Sequence, residues 1–118
     1  MRKLSLAAAI VAAFAAPAAS SAGATSPIVR VSAPISGLRY DQTTLRAHAG
    51  RMKLVFLNRS TIKHNVNIES GENELGKTAT IGRGTTTAFV TLKAGKYNFY
   101  CSVPGHEDAG MHGTLIVS

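Results

Sequence analysis

Cys101, His106 and Met111 stand five residues apart in one short stretch, Tyr100-Cys101-Ser102-Val103-Pro104-Gly105-His106-Glu107-Asp108-Ala109-Gly110-Met111. Cys101 is the only cysteine of the 118-residue chain. A thiolate, an imidazole and a thioether on one loop form a soft ligand set. A second imidazole, for which His64 is well placed, completes a His2Cys set with a weak methionine, an arrangement that suits copper carrying single electrons. Sulfur favours the reduced ion and imidazole accommodates both states, so little rearrangement accompanies each electron.

Duller and rival chemistries are weighed against this one. A lone methionine after a turn usually fills space, and a lone histidine is usually a surface or satisfied core group. The coincidence of the single cysteine, a Pro-Gly turn, a histidine and a Gly110-Met111-His112-Gly113 run favours metal ligation. Structural zinc prefers a closed set of cysteines and histidines without methionine. A nucleophilic Cys101 with His106 or His64 as base needs an orienting group, for which Asn65 is available, and an oxyanion hole. Such nucleophiles normally open a helix, whereas Cys101 ends a strand-like run. Copper oxidases need further histidines, beside the cysteine or as His-x-His, and Tyr100-Cys101-Ser102 supplies none. A dinuclear copper centre needs two cysteines. The expectation is a protein that is not an enzyme.

The elements that must position these residues are short. Ile28–Ala33, Thr43–Ala49, Met52–Asn58, His64–Ile68, Thr85–Leu92, Lys96–Cys101 and Gly113–Val117 are rich in β-branched and aromatic residues. Turn residues separate them at Ser36-Gly37, Ala49-Gly50, Asn58-Arg59-Ser60 and Ala94-Gly95. No window carries a helical period of useful length, so the reading is all-β, an antiparallel sandwich with little or no helix. The polar segment Glu69 to Gly84 reads as a long connection with room for one helical turn.

Alternate residues of a strand share a face. Tyr97, Phe99 and Cys101 therefore point one way, into the core. His64, Val66 and Ile68 share a face, as do Met111, Gly113, Leu115 and Val117. All three segments can aim a ligand at one end of the sandwich. His112 points away from Met111 and is expected to be exposed; His48 is read as structural.

Met1-Arg2-Lys3, the apolar run Leu4 to Ala16 and Ser20-Ser21-Ala22 make up the three parts of a secretory signal, with cleavage expected after Ala22. The apolar run is too short to span a bilayer. The expected organisation is a signal peptide at 1–22 and one domain at 23–118, periplasmic or secreted. A lone thiol in an oxidising compartment is a liability unless buried, paired or bound to metal. The formal charge is +7; Arg2 and Lys3 belong to the leader, which leaves about +5 on the domain. The cations are scattered, and with no Trp, three Tyr and four Phe there is no aromatic-basic cluster of the kind that binds nucleic acid. Docking to an acidic partner is the sharper use of that charge.

The pattern His64-Asn65, Tyr100-Cys101, Pro104-Gly105-His106 and Gly110-Met111, closed by Gly113–Val117, resembles the cupredoxins, the small blue-copper proteins. Four residues separate Cys101 from His106 and four more separate His106 from Met111, as in the longer-loop, auracyanin- and rusticyanin-like members. The resemblance spans essentially the whole mature chain. It implies a Greek-key β-sandwich holding one type 1 copper, with His64, Cys101 and His106 as ligands and Met111 as the long axial one. It also implies a soluble, monomeric extracytoplasmic carrier passing single electrons between larger redox proteins, some with acidic docking surfaces; a periplasmic copper chaperone or buffer is the alternative. Asn65 would tie the ligand loops together through Ser102 and the region of Cys101. Val103, Pro104, Ala109 and Met111 would form an apolar patch around His106, with Glu107 and Asp108 solvated at its rim.

Overall fold

A computed structural model describes residues 27–118. The expected signal peptide and the first residues of the expected domain lie outside them.

Eight strands form: β1 Ile28–Ala33, β2 Thr44–Ala47, β3 Gly50–Asn58, β4 Asn67–Ser70, β5 Asn73–Lys77, β6 Gly84–Leu92, β7 Gly95–Tyr100 and β8 His112–Val117. They assemble as a three-stranded sheet, β1-β3-β6, and a five-stranded sheet, β2-β8-β7-β4-β5. No helix forms among the described residues. The all-β expectation holds, with one refinement in the pairing. Each sheet carries one parallel pair, β1 with β3 and β2 with β8, and the other pairs are antiparallel. The sheets are therefore mixed.

Alternation decides which faces meet. On β3, Met52, Leu54 and Phe56 are buried while Arg51, Lys53, Val55 and Leu57 are wholly or partly exposed. Val29 and Val31 of β1 and Val90 and Leu92 of β6 join them from the same sheet. Leu45, Ile68, Phe99, Leu115 and Val117 face them from the other sheet. Tyr40, on the loop after β1, plugs the seam: its ring lies edge-on to Phe56 at 6.0 Å and tilted against Phe99 at 5.2 Å. Aromatic contacts of this kind are worth about 0.5–1.5 kcal/mol beyond the area they bury.

The connection expected at 69–84 is instead a β-hairpin followed by an extended return. β4 and β5 pair directly, and Gly71, at φ +62°, opens their two-residue turn. β5 is exposed along nearly its whole length and lacks apolar alternation, so only backbone pairing with β4 reveals it. The strand expected to begin at His64 begins at Asn67; His64 sits before it in an isolated bridge to Ile81.

Candidate metal centre

Three segments end at one pole of the sandwich: the approach to β4, the exit of β7 and the start of β8. Cys101 directly follows β7, and its backbone N–H donates to the carbonyl of Met111 at 3.1 Å, so the ladder between β7 and β8 runs one pair beyond the strands. The intervening loop is wound on itself. His106 N–H donates to Val103 at 3.0 Å, and the His106 carbonyl accepts from Ala109 and Met111, each at 3.1 Å. Gly110 takes φ +119°, a conformation that side-chain-bearing residues rarely adopt, just before Met111 turns into the core.

His64 is fixed from both sides. It exchanges two 3.0 Å backbone hydrogen bonds with Ile81. Asn58, fully buried at the end of β3, donates through Nδ2 to the carbonyls of Ile62 and Ile81 and accepts from the Ser60 N–H through Oδ1. One side chain thus clamps the loop before His64 to the strand-like segment that pairs with it. Thr78 adds a reciprocal pair with Val66: its N–H donates to the Val66 carbonyl and its Oγ1 accepts from the Val66 N–H.

The expected tie between the ligand loops is present and wider than foreseen. Asn65 Oδ1 accepts from the Ser102 N–H at 2.9 Å and from Asn67 Nδ2 at 2.8 Å. Its Nδ2 donates to Ser102 Oγ and Thr80 Oγ1. Tyr40 donates its hydroxyl to the Asn65 carbonyl at 2.5 Å. Burial raises the Tyr40 pKa far above its ordinary value, helped by the charges of Cys101 and Glu107, so the phenol stays a donor.

The donor atoms converge. His64 Nδ1 lies 3.2 Å from His106 Nδ1 and 4.0 Å from Cys101 Sγ, and His106 Nδ1 lies 3.5 Å from Cys101 Sγ. All three atoms fall within 4.8 Å of one another, the one such group among the described residues. A triangle with these sides has a circumradius of about 2.1 Å, and metal–imidazole and metal–thiolate bonds run about 2.0–2.3 Å. A single ion would come within bonding reach of all three donors.

The surroundings make that ion the natural occupant. Burial, then the neighbouring His106, holds the His64 pKa below its ordinary value, so its ring is neutral and offers a lone pair. Two imidazole Nδ1 atoms facing each other at 3.2 Å repel unless a proton or a metal lies between them. Cys101 and Met111 are fully buried, His64 likewise, and His106 half-buried. Met111 therefore belongs to the core and not to the exposed patch expected around His106. Of that patch Val103 is half-buried, and Pro104 and Ala109 are exposed. His112 is exposed, as expected. His48 is exposed too, one residue past β2, and is no part of the core.

A family model for copper-binding proteins of the plastocyanin/azurin family matches residues 27–118. The chain belongs to that family. It is a cupredoxin, and copper is its metal. His64, Cys101 and His106, with Met111 beside them, form a type 1 copper arrangement. Among solved structures, auracyanin A, a "blue" copper protein from Chloroflexus aurantiacus, is 22% identical with a TM-score of 0.71, over 80% of this chain and 100% of that one. Dithionite-reduced auracyanin from Roseiflexus castenholzii is 25% identical with a TM-score of 0.72, over 81% and 99%. Reduced rusticyanin, at 22% identity and a TM-score of 0.66 over 77% and 78%, shares the fold. None of the curated proteins matches this sequence.

Sequence reasoning singled out the three converging donors, Met111 and Asn65. It missed Asn58, Tyr40, Asn67 and Thr78, the residues that hold the ligand segments in place. Asn58 stood in plain view as a turn residue, and a buried polar side chain is told from a turn only by its partners. Asn67 stood between Val66 and Ile68, but with His64 and Asn65 beside them its polarity marked nothing out.

Proposed function

We propose that this cupredoxin is a single-electron carrier working outside the cytoplasm, in which His64, Cys101 and His106 would hold the copper and Met111 would be a weak fourth donor. The observation that carries this reading is the triangle of donor atoms, held at metal-bonding size by a hydrogen-bonded frame. Copper would supply a reversible one-electron change between Cu(II) and Cu(I). The chain's own part is to hold the donors. The Asn65, Asn58 and Tyr40 networks resist movement of the ligand segments, so both oxidation states meet nearly the same geometry. Burial of Cys101 keeps oxidants and water from the thiolate. His106 is the donor that reaches toward solvent, half-buried where the other two are fully buried, and offers electrons a way out.

The extracytoplasmic setting is supported by the cationic start, apolar run and small-residue site at 1–22. Larger redox proteins would be donor and acceptor. No helix of the described residues is long and apolar enough to cross a membrane.

The test is spectroscopic. Protein loaded with Cu(II) is expected to show an intense visible charge-transfer band that ascorbate bleaches and hexacyanoferrate(III) restores, repeatedly. Cys101→Ser abolishes the band. A colourless complex, or one reduced only once, would give the site to copper storage or delivery instead.

A further inference from the structure

The solvent face of the three-stranded sheet holds two adjoining cavities that share Leu57 and Arg59. The larger, about 340 Å3, is completed by Ile35, Asn58, Arg83 and Gly84. The smaller, about 240 Å3, extends along β1 past Arg30 and β3 past Val55. Ile35 is 71% exposed and Leu57 37%, and both line the larger cavity. Lone exposed apolar side chains need no explanation; two sharing one concavity do.

Charge says what would cover them. Arg30, Arg59 and Arg83 border the paired cavities and no carboxylate lines either. The nearby Asp41 is already engaged, accepting from Ser32 Oγ at 2.7 Å and from Arg59 at 3.1 Å. Planar guanidinium groups around an apolar floor match carboxylates in two-point contacts better than scattered lysines would. Position adds meaning. Asn58, in the wall of the larger cavity, donates to the Ile81 carbonyl, which also accepts from the His64 N–H. The loop carrying His106 contributes no residue to either cavity.

We propose that this groove is a second docking surface, linked to His64 through the hydrogen bonds that Asn58 and His64 both make to the Ile81 carbonyl, and separate from the His106 rim. It receives an acidic protein partner that seats an apolar side chain on Ile35 and Leu57 and sets carboxylates against Arg30, Arg59 and Arg83. That the partner is a redox protein rests on the electron-carrier reading; the surface itself rests on shape and charge.

The experiment maps amide chemical shifts of the Cu(I)-loaded protein at low salt while titrating the peptide acetyl-Asp-Glu-Leu-Phe-Glu-Asp-amide, with its Asn/Gln counterpart as control. Shifts are expected to gather at Ile35, Leu57, Arg59, Arg83 and Gly84 and to be weak with the neutral peptide. Arg83→Gln, at an exposed position, is expected to weaken binding about two- to fivefold, and Ile35→Ser to weaken it comparably. Shifts centred on Val103 to Met111, shifts spread equally to Lys93 and Lys96, or no shifts would overturn the proposal. So would a response only to phosphatidylglycerol vesicles, which would assign the groove to a membrane surface, or shifts driven by protein concentration alone, which would assign it to a second copy. The same titration on metal-free protein separates the two readings: peptide binding there, without a bleachable band on copper loading, sinks the carrier and leaves the groove.

Discussion

Asn65 does more for the site than its single position implies. Its Oδ1 is the acceptor for the Ser102 N–H next to Cys101, and its Nδ2 holds Ser102 Oγ and Thr80. Asn65→Ala removes the acceptor of the Ser102 N–H, at an exposed residue, and leaves the buried Asn67 amide only its long 3.4 Å contact to the Tyr100 carbonyl. Weakening the pairing of one buried donor costs about 1–3 kcal/mol. Thermal unfolding of the copper-free variant is expected to show a loss of that order, and the visible band to shift or broaden. His64 carries a pH dependence of its own. Its folded pKa is lowered by burial and by His106, so the unfolded chain binds its proton more readily. In the copper-free protein the stability that neutral His64 contributes is therefore complete above the unfolded value, about 6.5, and is lost as pH falls below it. Denaturant midpoints measured from pH 8 to 5 check the sign. A midpoint that rose on acidification would contradict it.

The closing strand shows how little room an element leaves once a site depends on it. Gly113 of β8 pairs with Phe99 of β7, and a Cβ there would sit 2.5 Å from the Phe99 ring and 2.6 Å from the Thr43 carbonyl. Neither neighbour is the free end of a flexible chain. Gly113→Ala must push β8 away from β7 or β2, and overpacking of this kind costs about 1–3 kcal/mol. Because Met111 lies two residues upstream, the variant is expected to lose affinity for copper as well as stability. Calorimetry and copper titration of the same sample test both. The loop before β4 behaves differently. Asn58 holds it to Ile81 by two hydrogen bonds while most of its surface is open, with Thr61, Ile62 and Lys63 exposed. Asn58→Ala is expected to free His64 and increase its amide hydrogen exchange, leaving β7 and β8 protected.

For the molecule as a whole, the core extends far beyond the metal site. Seventeen buried apolar residues run from Val29 to Val117 through both sheets, and the donor triangle sits at one end of them. Chelation is therefore expected to lower the melting temperature while leaving the β-sheet circular dichroism intact. Added copper stabilises by mass action, about 4 kcal/mol when free metal exceeds its dissociation constant a thousandfold. Unfolding on chelation would mean that the ligand loops nucleate the sandwich. Charge is also a property of the whole. Five of the six acidic residues, Glu69, Glu72, Glu74, Glu107 and Asp108, lie on the β4–β5 hairpin and the His106 loop. The three-stranded sheet and its loops keep only Asp41 against Arg30, Arg39, Arg51, Lys53, Arg59, Lys63, Arg83 and Lys93. Encounter with an acidic partner is accordingly expected to slow as salt rises.

Much of this was legible in the chain. Spacing alone put Cys101, His106 and Met111 on one loop, because four intervening residues each time leave donors within reach of a common point. Alternation of apolar residues on Met52–Phe56 and Tyr97–Cys101 dictated strands and turned Cys101 inward, since each is local chemistry written in consecutive positions. Tertiary structure decided the rest. β5 exists only through its ladder to β4, and parallel pairing of β1 with β3 joins residues more than twenty positions apart. The frame of Asn58, Tyr40 and Asn65 joins segments up to thirty-seven residues distant. Hydrogen bonds across such separations leave no local trace, because a buried amide and a solvated turn amide are the same residue until something folds over them.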